Sequence, residues 1–285
     1  MGRMFKLSRK IWIWFYGICF GVLILTILQT IQMGRDPSIS FLDVGQGDAI
    51  LIQTAEFHQI LIDAGIGSQV VDKLGKNMDF FDRSIDLFVL SHPDRDHFAG
   101  ILDTMQKYKI ERILMTGVTS TDFMYKEFLE QAKTTGAQID FANADQDVQI
   151  GPGLFLDVLY PLKGQNLIGQ TPSDKNNTST MVRLIQKNGD QVRSIALLNG
   201  DAEFPEEFEV LAAGEDVTAD ILKLGHHGSK FATSDGFLKA VSPKTVVASV
   251  GADNKYGHPN PETLERVKGL EIRRTDKEGT IIFDF

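Results

Sequence analysis

The chain has one cysteine, Cys19, among 285 residues. An intramolecular disulfide is impossible, which excludes a small scaffold held together by disulfides. Positive charge is also scarce, because 29 Lys and Arg stand against 38 Asp and Glu, for a formal net charge of −9. Four of the basic residues lie in the first ten positions (Arg3, Lys6, Arg9, Lys10), so the rest of the chain is more acidic still. A broad basic face for nucleic acid is therefore not expected, and bound metal ions are the obvious source of positive charge for a polyanion.

Charge is absent from residues 11–33, which are almost purely apolar as far as Leu28. About 20 apolar residues suffice to cross a bilayer, so this segment predicts a transmembrane anchor. Basic residues precede it and the aromatic residues Trp12, Trp14 and Tyr16 lie near its start. That order predicts a single-pass protein of the cell membrane with a cytoplasmic N-terminus and an extracytoplasmic domain. A cleaved signal peptide is the alternative, although no small-residue cleavage site follows Leu28.

Two parts follow from this organisation. Residues 1–35 form a cytoplasmic stub with the anchor, and residues 36–285 form one folded domain, in a chain with the ordinary 42% of hydrophobic residues. About a dozen apolar runs of strand length predict an α/β fold with two sheets covered by helices rather than one doubly wound sheet. Helical patterns lie at 97–107, 122–135, 203–213 and 261–269.

The densest set of chemical groups is SHPDRDHFAG, residues 91–100, directly after the apolar run IDLFVL. It places His92, Asp94, Asp96 and His97 within six positions. Imidazole and carboxylate groups are good ligands for zinc and manganese. A helix N-cap would explain one of the carboxylates, but not two histidines and two aspartates together.

Further groups follow other apolar runs along the chain. LLNGD ends in Asp201, for which an ordinary Asn-Gly-Asp turn is the main alternative. LKLGHHGS carries the tandem His226 and His227 between glycines, and YGHP places His258 in a loop. NNTS, residues 176–179, precedes another apolar run. We expect strand ends that meet at one edge of the sheets to bring these groups together.

The ordered motifs resemble the metallo-β-lactamase fold and, within it, the extracellular domain of ComEC-type DNA-uptake proteins. The resemblance covers roughly residues 38–285, through FLDVGQGDAILI, LIDAG, LSHPDRDHFAG, NNTSTMVRL, LNGDA, ILKLGHHGS, YGHPNP and the closing RRT..EGTI. It implies an αββα sandwich, with residues 36–285 as the hydrolase domain. It also implies a site for two divalent metal ions at one rim of the sheets.

The resemblance implies a metal-ligand set drawn from three motifs: His92, Asp94, Asp96, His97, Asp201 and His227. The first two would bind one ion and the next two the other, with Asp201 bridging them. Asp94 stands where most of the superfamily has histidine, and no histidine precedes STMVRL. More oxygen ligands favour harder ions, so manganese becomes a rival to zinc. His227 is preferred over His226 as the ligand, and the reverse assignment stays open.

Other roles are expected around the ligands. The catalytic groups would be Asp96, His226 and His258. Substrate contacts would come from Asn177, Ser179, Ser229 and Lys230, the last of which is better explained as a solvated surface lysine. Support for the ligands would come from Asp63, Asp43, Gln46 and Asp48, although a tight hairpin turn explains the last three as well.

The implied reaction is metal-dependent hydrolysis of phosphodiester bonds, with DNA as the substrate. The chain would serve DNA uptake or degrade external DNA. One apolar span cannot form a channel, so a separate channel protein would be its partner in uptake. Two alternatives stay open: hydrolysis of a small phosphodiester, such as a choline-phosphate ester or a nucleotide, and a catalytically silent binding module on the same fold.

Overall fold

The computed structural model describes residues 9–33, 35–144 and 146–285, with the side chains of 9–11 and 26–33 left out of the description. Two seven-stranded sheets organise it. The first contains β1 (Ser38–Phe41), β2 (Ile50–Gln53), β3 (Gln59–Ile62), β4 (Ser84–Leu90), β5 (Lys109–Met115), β6 (Gln138–Phe141) and, from the end of the chain, β14 (Ile281–Asp284). The second contains β7 (Asp147–Gly151), β8 (Leu154–Tyr160), β9 (Met181–Asn188), β10 (Gln191–Leu198), β11 (Ile221–Lys223), β12 (Thr245–Ala248) and β13 (Glu271–Arg274).

Eight α-helices accompany the sheets in the described part of the chain. They are α1 (Arg9–Met33), α2 (Gln69–Asn77), α3 (Arg95–Met105), α4 (Phe123–Thr135), α5 (Phe204–Ala213), α6 (Asp235–Val241), α7 (Pro261–Arg266) and α8 (Thr275–Glu278). Two short 3-10 helices cover Asn176–Thr178 and Gly225–Gly228.

Both sheets are mixed, with the same division into an antiparallel and a parallel part. The order of the first is β14-β1-β2-β3-β4-β5-β6, and its strands run parallel from β3 to β6. The order of the second is β13-β12-β11-β10-β9-β8-β7, and its strands run parallel from β10 to β13. Parallel neighbours end at the same edge of a sheet, so each sheet offers one edge on which several loops meet.

Three apolar layers fill the molecule. The central one packs sheet against sheet through residues such as Ile52, Val89 and Leu184. The first sheet packs on its other face against α2, α3 and α4, as Phe98 and Phe128 show. The second packs against α5 and α6 in the same way. The predicted α/β sandwich of two sheets with helices outside is therefore confirmed.

The predicted transmembrane anchor at 11–33 needs correction. The segment does form α1 (Arg9–Met33). Within the described residues, no helix combines the length and the apolar character that a membrane span requires. The predicted cell-membrane location, with a cytoplasmic N-terminus and an extracytoplasmic domain, is therefore wrong by this finding. Residues 1–8 of the predicted cytoplasmic stub lie outside the described residues.

Candidate metal centre

Side chains with metal-binding chemistry gather where strands of both sheets end. His92 follows β4 and Asp201 follows β10, while the tandem histidines lie in the 3-10 turn after β11. Helix α3 begins at Arg95, so His97 lies in its first turns and faces the same edge as His92. Their rings lie 4.2 Å apart. Topology thus brings together residues more than a hundred positions apart in sequence.

Three buried imidazoles converge on the carboxylate of Asp201. Nε2 of His97 lies 3.2 Å from Oδ2 of Asp201, and Nε2 of His227 lies 3.3 Å from the same oxygen. The Nε2 atoms of His92, His97 and His227 are buried and have no hydrogen-bond partner among the described residues. Buried polar atoms are rarely left unpaired. Nitrogen and carboxylate oxygen are the ligands that zinc and manganese take, so these residues fit a divalent metal ion.

Four overlapping groups can each offer three ligand atoms within 4.8 Å of one another. They are His92–His97–Asp201, Asp96–His97–His227, Asp48–Asp63–His97 and Asp48–Asp201–His227. The first two share His97 and include the expected ligands of two neighbouring ions. Asp94 belongs to none of the four groups, although it is among the expected ligands.

The Nδ1 atoms of the three histidines contact hydrogen-bonding groups on the side away from the centre of the cluster. Nδ1 of His97 donates to Oδ2 of Asp63 at 2.7 Å, and Nδ1 of His227 donates to the carbonyl oxygen of Ser249 at 2.9 Å. Nδ1 of His92 lies 3.0 Å from Oγ of Ser91, whose hydroxyl donates to Asp63 at 2.6 Å. Such partners fix the tautomer and aim the other nitrogen at the metal. The arrangement explains why the Nε2 atoms face inward.

Charge in the cluster is mutually stabilised. Burial alone would lower the pKa of His97, but the carboxylates of Asp201 and Asp63 outweigh burial and hold that pKa well above the ordinary value for histidine. Burial alone would raise the pKa of Asp201, but His227, His97 and nearby Lys223 hold it well below its ordinary range. The carboxylates and imidazoles therefore favour one another's charged forms.

Asp63 offers a test of this support. Its φ of +55° lies in the left-handed region, which asparagine and aspartate adopt more readily than other non-glycine residues, so Asp63→Asn should preserve the backbone. The substitution removes the charge that orients His97, and we expect metal affinity to fall about 10- to 100-fold. Titration of the metal-free protein with zinc or manganese measures the change. Asp43→Asn is the control, because Asp43 pairs with Lys73 at 3.2 Å rather than with a ligand. Equal affinities in both variants would contradict the role of Asp63.

Lys223 is a buried cation that the sequence reasoning missed. Its Nζ lies 2.5 Å from Oδ2 of Asp48 and 3.4 Å from Oδ1 of Asp201, and it donates to the carbonyl oxygen of Gly200 at 2.5 Å. Burial alone would lower its pKa, but Asp48 and Asp201 raise it, so the ammonium stays charged. A metal ion held by the Asp48–Asp201–His227 group would be repelled by the ammonium group of Lys223. The available signal was a lysine inside the apolar strand Ile221–Lys223.

Asp48 reaches this position because the β1–β2 connection passes close to α3. Gly47 has a φ of +120°, and a Cβ there would lie 2.1 Å from the carbonyl oxygen of Asp96. The amide of Asp48 donates to that same oxygen at 3.2 Å. The GQGD motif therefore serves as a hairpin turn, and it also delivers a carboxylate to the cluster. Gln46, in the same turn, accepts from the amide of Gly251 at 3.3 Å and lines the cavity beside the cluster.

The tandem histidines occupy different environments. His226 and His227 have φ values of +43° and +54°, which cost roughly 1–3 kcal/mol each for residues other than glycine. His227 is fully buried and lies 3.4 Å from Oδ2 of Asp96, whereas the side chain of His226 is 26% exposed. Nδ1 of His226 donates to Oε1 of Glu203 at 2.8 Å. His227 thus has the surroundings of a ligand, and His226 those of a group facing a substrate; Glu203 was missed.

Several expected substrate contacts lie elsewhere. Asn177 donates to Asp174 and accepts from the amide of Glu203, whereas its neighbour Asn176 lines the cavity and lies 3.3 Å from His226. Ser179 is fully buried behind His92, with its Oγ 3.3 Å from Nδ1 of that ring. Ser179 therefore supports His92 from behind, whereas Asn177 holds the backbone at Glu203.

Ser229 and Lys230 also lie outside the cavity lining. Ser229 is buried and accepts from the amide of Phe231, while Nζ of Lys230 lies 5.0 Å from the ring of Phe231. Asp94 forms an ion pair with Lys175 at 2.5 Å. Burial opposes the ionisation of Asp94, but His92 and Lys175 outweigh burial and lower its pKa to about 2.

A cavity of about 210 Å³ opens onto the cluster. Its lining comprises Gln46, Asp94, Asp96, Asn176, Asp201, His226, His227, Tyr256 and His258. No lysine or arginine is among these residues. Burial, together with His226 and His227, lowers the pKa of His258 to about 4, so this ring is neutral at pH 7. A larger cavity of about 480 Å³ lies beside His58, at the opposite end of β3 from Asp63, and none of its lining residues belongs to the metal-binding groups.

The fold and the cluster together define the class of the protein: the chain has the metallo-β-lactamase fold. YhfI from Bacillus subtilis, a solved protein of that fold, superposes with a TM-score of 0.57 at 15% identity, over 88% of this chain and 100% of that one. No known protein-family model matches the chain.

Within this class, the resemblance to ComEC-type proteins is confirmed. The chain is 28% identical to ComE operon protein 3 of Bacillus subtilis (strain 168), over 94% of this chain and 35% of that protein. It is 30% identical to competence protein ComA of Neisseria gonorrhoeae, over 87% of this chain and 32% of that protein. The chain spans about a third of the length of these relatives.

Proposed function

We propose that this protein is a metal-dependent hydrolase that cleaves phosphodiester bonds in DNA, as part of competence-type DNA uptake. One observation carries the proposal: three buried imidazoles with unpartnered Nε2 atoms gather around the carboxylate of Asp201, which lies 3.2 and 3.3 Å from two of them. The similarity to competence proteins supports DNA as the substrate. A separate channel protein is proposed as its partner in uptake.

Two divalent ions would be held side by side, one by His92 and Asp201 and the other by Asp96, His97 and His227. Bound there, they supply the positive charge that activates water and stabilises the phosphate as charge develops on it. Asp94, 3.7 Å from Nε2 of His92, would join the first site if its ion pair with Lys175 opened. Zinc and manganese both suit this mixture of nitrogen and oxygen ligands.

The chain's own groups would handle the rest of the reaction. Glu203 holds His226 through Nδ1, which leaves Nε2 directed toward the cavity, 3.8 Å from Oδ2 of Asp201. With both ring nitrogens protonated, this nitrogen would donate a hydrogen bond to a phosphate oxygen or to the departing oxygen. The ring of His258 lies 5.4 Å from that of His226 and closes the same side of the cavity. Asp96, with a side chain 29% exposed, can accept a hydrogen bond from the attacking water.

A small phosphodiester is the second candidate substrate. The cavity holds only about 210 Å³ and its lining carries no lysine or arginine to attract a long polyanion. A choline-phosphate ester or a nucleotide would fit such a space. This candidate uses the same metal ligands and differs only in what binds beside them.

Metal removal and substrate choice test these proposals together. The full chain is stripped with a chelator, then given manganese or zinc with single-stranded DNA, duplex DNA or bis-p-nitrophenyl phosphate. We expect no cleavage without metal, because the cluster alone holds no source of activated water, and cleavage of DNA once metal is restored. Product release is followed by gel electrophoresis for DNA and by absorbance for the ester.

The possible outcomes distinguish between the proposed functions of the site. Cleavage of the small ester without cleavage of DNA would favour the second candidate. Failure to cleave any substrate, with metal content confirmed by elemental analysis, would contradict a hydrolase and indicate a silent binding module. Activity that survives complete removal of metal would contradict the proposed centre.

A further inference from the structure

An exposed aromatic ring stands at the mouth of the metal-centre cavity. Tyr256 lines the cavity together with the histidines, yet 58% of its surface is exposed. Its ring stacks on that of His258, with centroids 5.9 Å apart and an interplanar angle of 28°. His258 in turn lies 6.5 Å from His227, so the stack leads from solvent to the cluster.

The loop that carries this ring is held in place by one side chain. Asn254 donates to the carbonyl oxygens of Gly251 and His258, at 2.9 and 2.8 Å, and accepts from the amide of His258 at 3.0 Å. Both ends of the turn that presents Tyr256 are therefore fixed. A ring fixed in advance loses little conformational entropy when a ligand covers it.

The side chains that line the cavity offer little electrostatic attraction to an anionic substrate. The cavity lining includes three aspartates and no lysine or arginine, and the chain as a whole is acidic. The metal ions would attract one phosphate, but the rest of a nucleic-acid strand would meet little positive charge. Stacking of a base on an aromatic ring needs no counter-charge and tolerates every base, because each base has a π-face. Nζ of Lys255, 5.4 Å from the ring of Tyr256, adds one cation at the same place.

We propose that Tyr256 is a stacking platform for a nucleobase of single-stranded DNA, next to the phosphate that is cleaved. The inference rests on the proposed nuclease function and specifies its substrate. Bases inside a duplex already stack on their neighbours, whereas bases of a single strand are free to cover the ring. The platform therefore selects single strands over duplexes and requires a base beside the scissile bond.

The test combines substitutions of Tyr256 with the removal of single bases from the DNA. Binding of the full, metal-loaded chain to a fluorescent single-stranded oligonucleotide is measured by anisotropy, and cleavage is measured alongside it. The oligonucleotide is used intact, and with one abasic residue placed at successive positions around the cleavage site. The variants are Tyr256→Ala and Tyr256→Phe, with Phe81→Ala as a control because Phe81 is 91% exposed and lines no part of this cavity.

Base–aromatic stacking predicts a loss of about 5- to 150-fold in affinity and in kcat/KM for Tyr256→Ala on intact single-stranded DNA. Tyr256→Phe keeps the ring and should match the wild type, which separates stacking from a role of the hydroxyl group. The wild type should lose a similar factor at one abasic position, and Tyr256→Ala should be indifferent to that lesion. Phe81→Ala should bind and cleave the intact oligonucleotide like the wild type.

Different failures have different meanings. Tyr256→Ala that binds intact DNA like the wild type, or remains as sensitive to the abasic residue, would overturn the platform while leaving the nuclease proposal in place. Wild-type protein that neither binds nor cuts DNA would overturn both proposals.

Discussion

Asp201→Ala is expected to abolish hydrolysis and to remove metal from the protein. Oδ2 of Asp201 is the atom on which His97 and His227 converge, and the residue belongs to two of the four metal-binding groups. Loss of this oxygen leaves the imidazoles without the charge that a cation centre needs. We expect metal affinity to fall by about 100-fold or more, beyond the 10- to 100-fold typical of outer partners. Metal content by elemental analysis and the rate of phosphodiester cleavage measure the two effects.

Controls distinguish loss of a ligand from loss of the fold. Asp201→Asn keeps the shape and one oxygen but removes the charge, and it should also lose most of the activity. Asp140→Ala removes a carboxylate that pairs with Arg112 on the surface, 2.8 Å away, and should leave both readouts near the wild-type level. Full activity in Asp201→Ala, with an unchanged metal content, would show that the proposed centre is wrong.

Lys223→Met is expected to destabilise the metal-free protein by about 3–5 kcal/mol, because it leaves buried carboxylates without their cation. Lys223 is fully buried against Asp48 and Asp201. Methionine fills a similar volume, so the loss comes from charge rather than from a cavity. Urea denaturation of the chelated protein measures the free energy of unfolding.

The matched control is Lys244→Met. Lys244 pairs with Asp220 at 2.6 Å, but its side chain is 78% exposed, so that substitution should cost no more than about 1 kcal/mol. Adding Asp48→Asn to Lys223→Met removes one of the stranded charges and should recover part of the loss. Equal effects of the two lysine substitutions would contradict the role of Lys223 as the counter-charge of the cluster.

Local sequence patterns predicted the strands and helices whose own residues form a long apolar run or a clear helical pattern. Apolar runs such as IDLFVL identified buried strands, and the sequence pattern at 122–135 matches α4 to within one residue. Helix α2 was missed, because its nine residues bury only Val70 and Leu74 and give too short an apolar stripe. Helix α7 was predicted to extend to 269, but it ends at Arg266.

The candidate ligands were predictable because histidines and aspartates are dense after strands, as at His92 and His97. Residues that reach the cluster only through the three-dimensional course of the chain were not predictable. Lys223 looked like an ordinary strand residue, and Asn177 was chosen over Asn176 because sequence cannot show which of two neighbours faces a cavity. The anchor was predicted from composition alone, and the described part of α1 does not supply it.

The cluster draws its groups from both halves of the sandwich. His92, His97 and Asp63 belong to the first sheet and its helix, whereas Asp201 and His227 belong to the second. Neither half carries a complete centre, so the site lies at the interface between the two sheets. A displacement of one sheet by about 1 Å relative to the other is enough to lower a reaction rate by about two orders of magnitude, with every one of these side chains still present. Apolar packing far from the cluster, such as the layer that contains Ile52 and Leu184, thereby becomes a determinant of turnover.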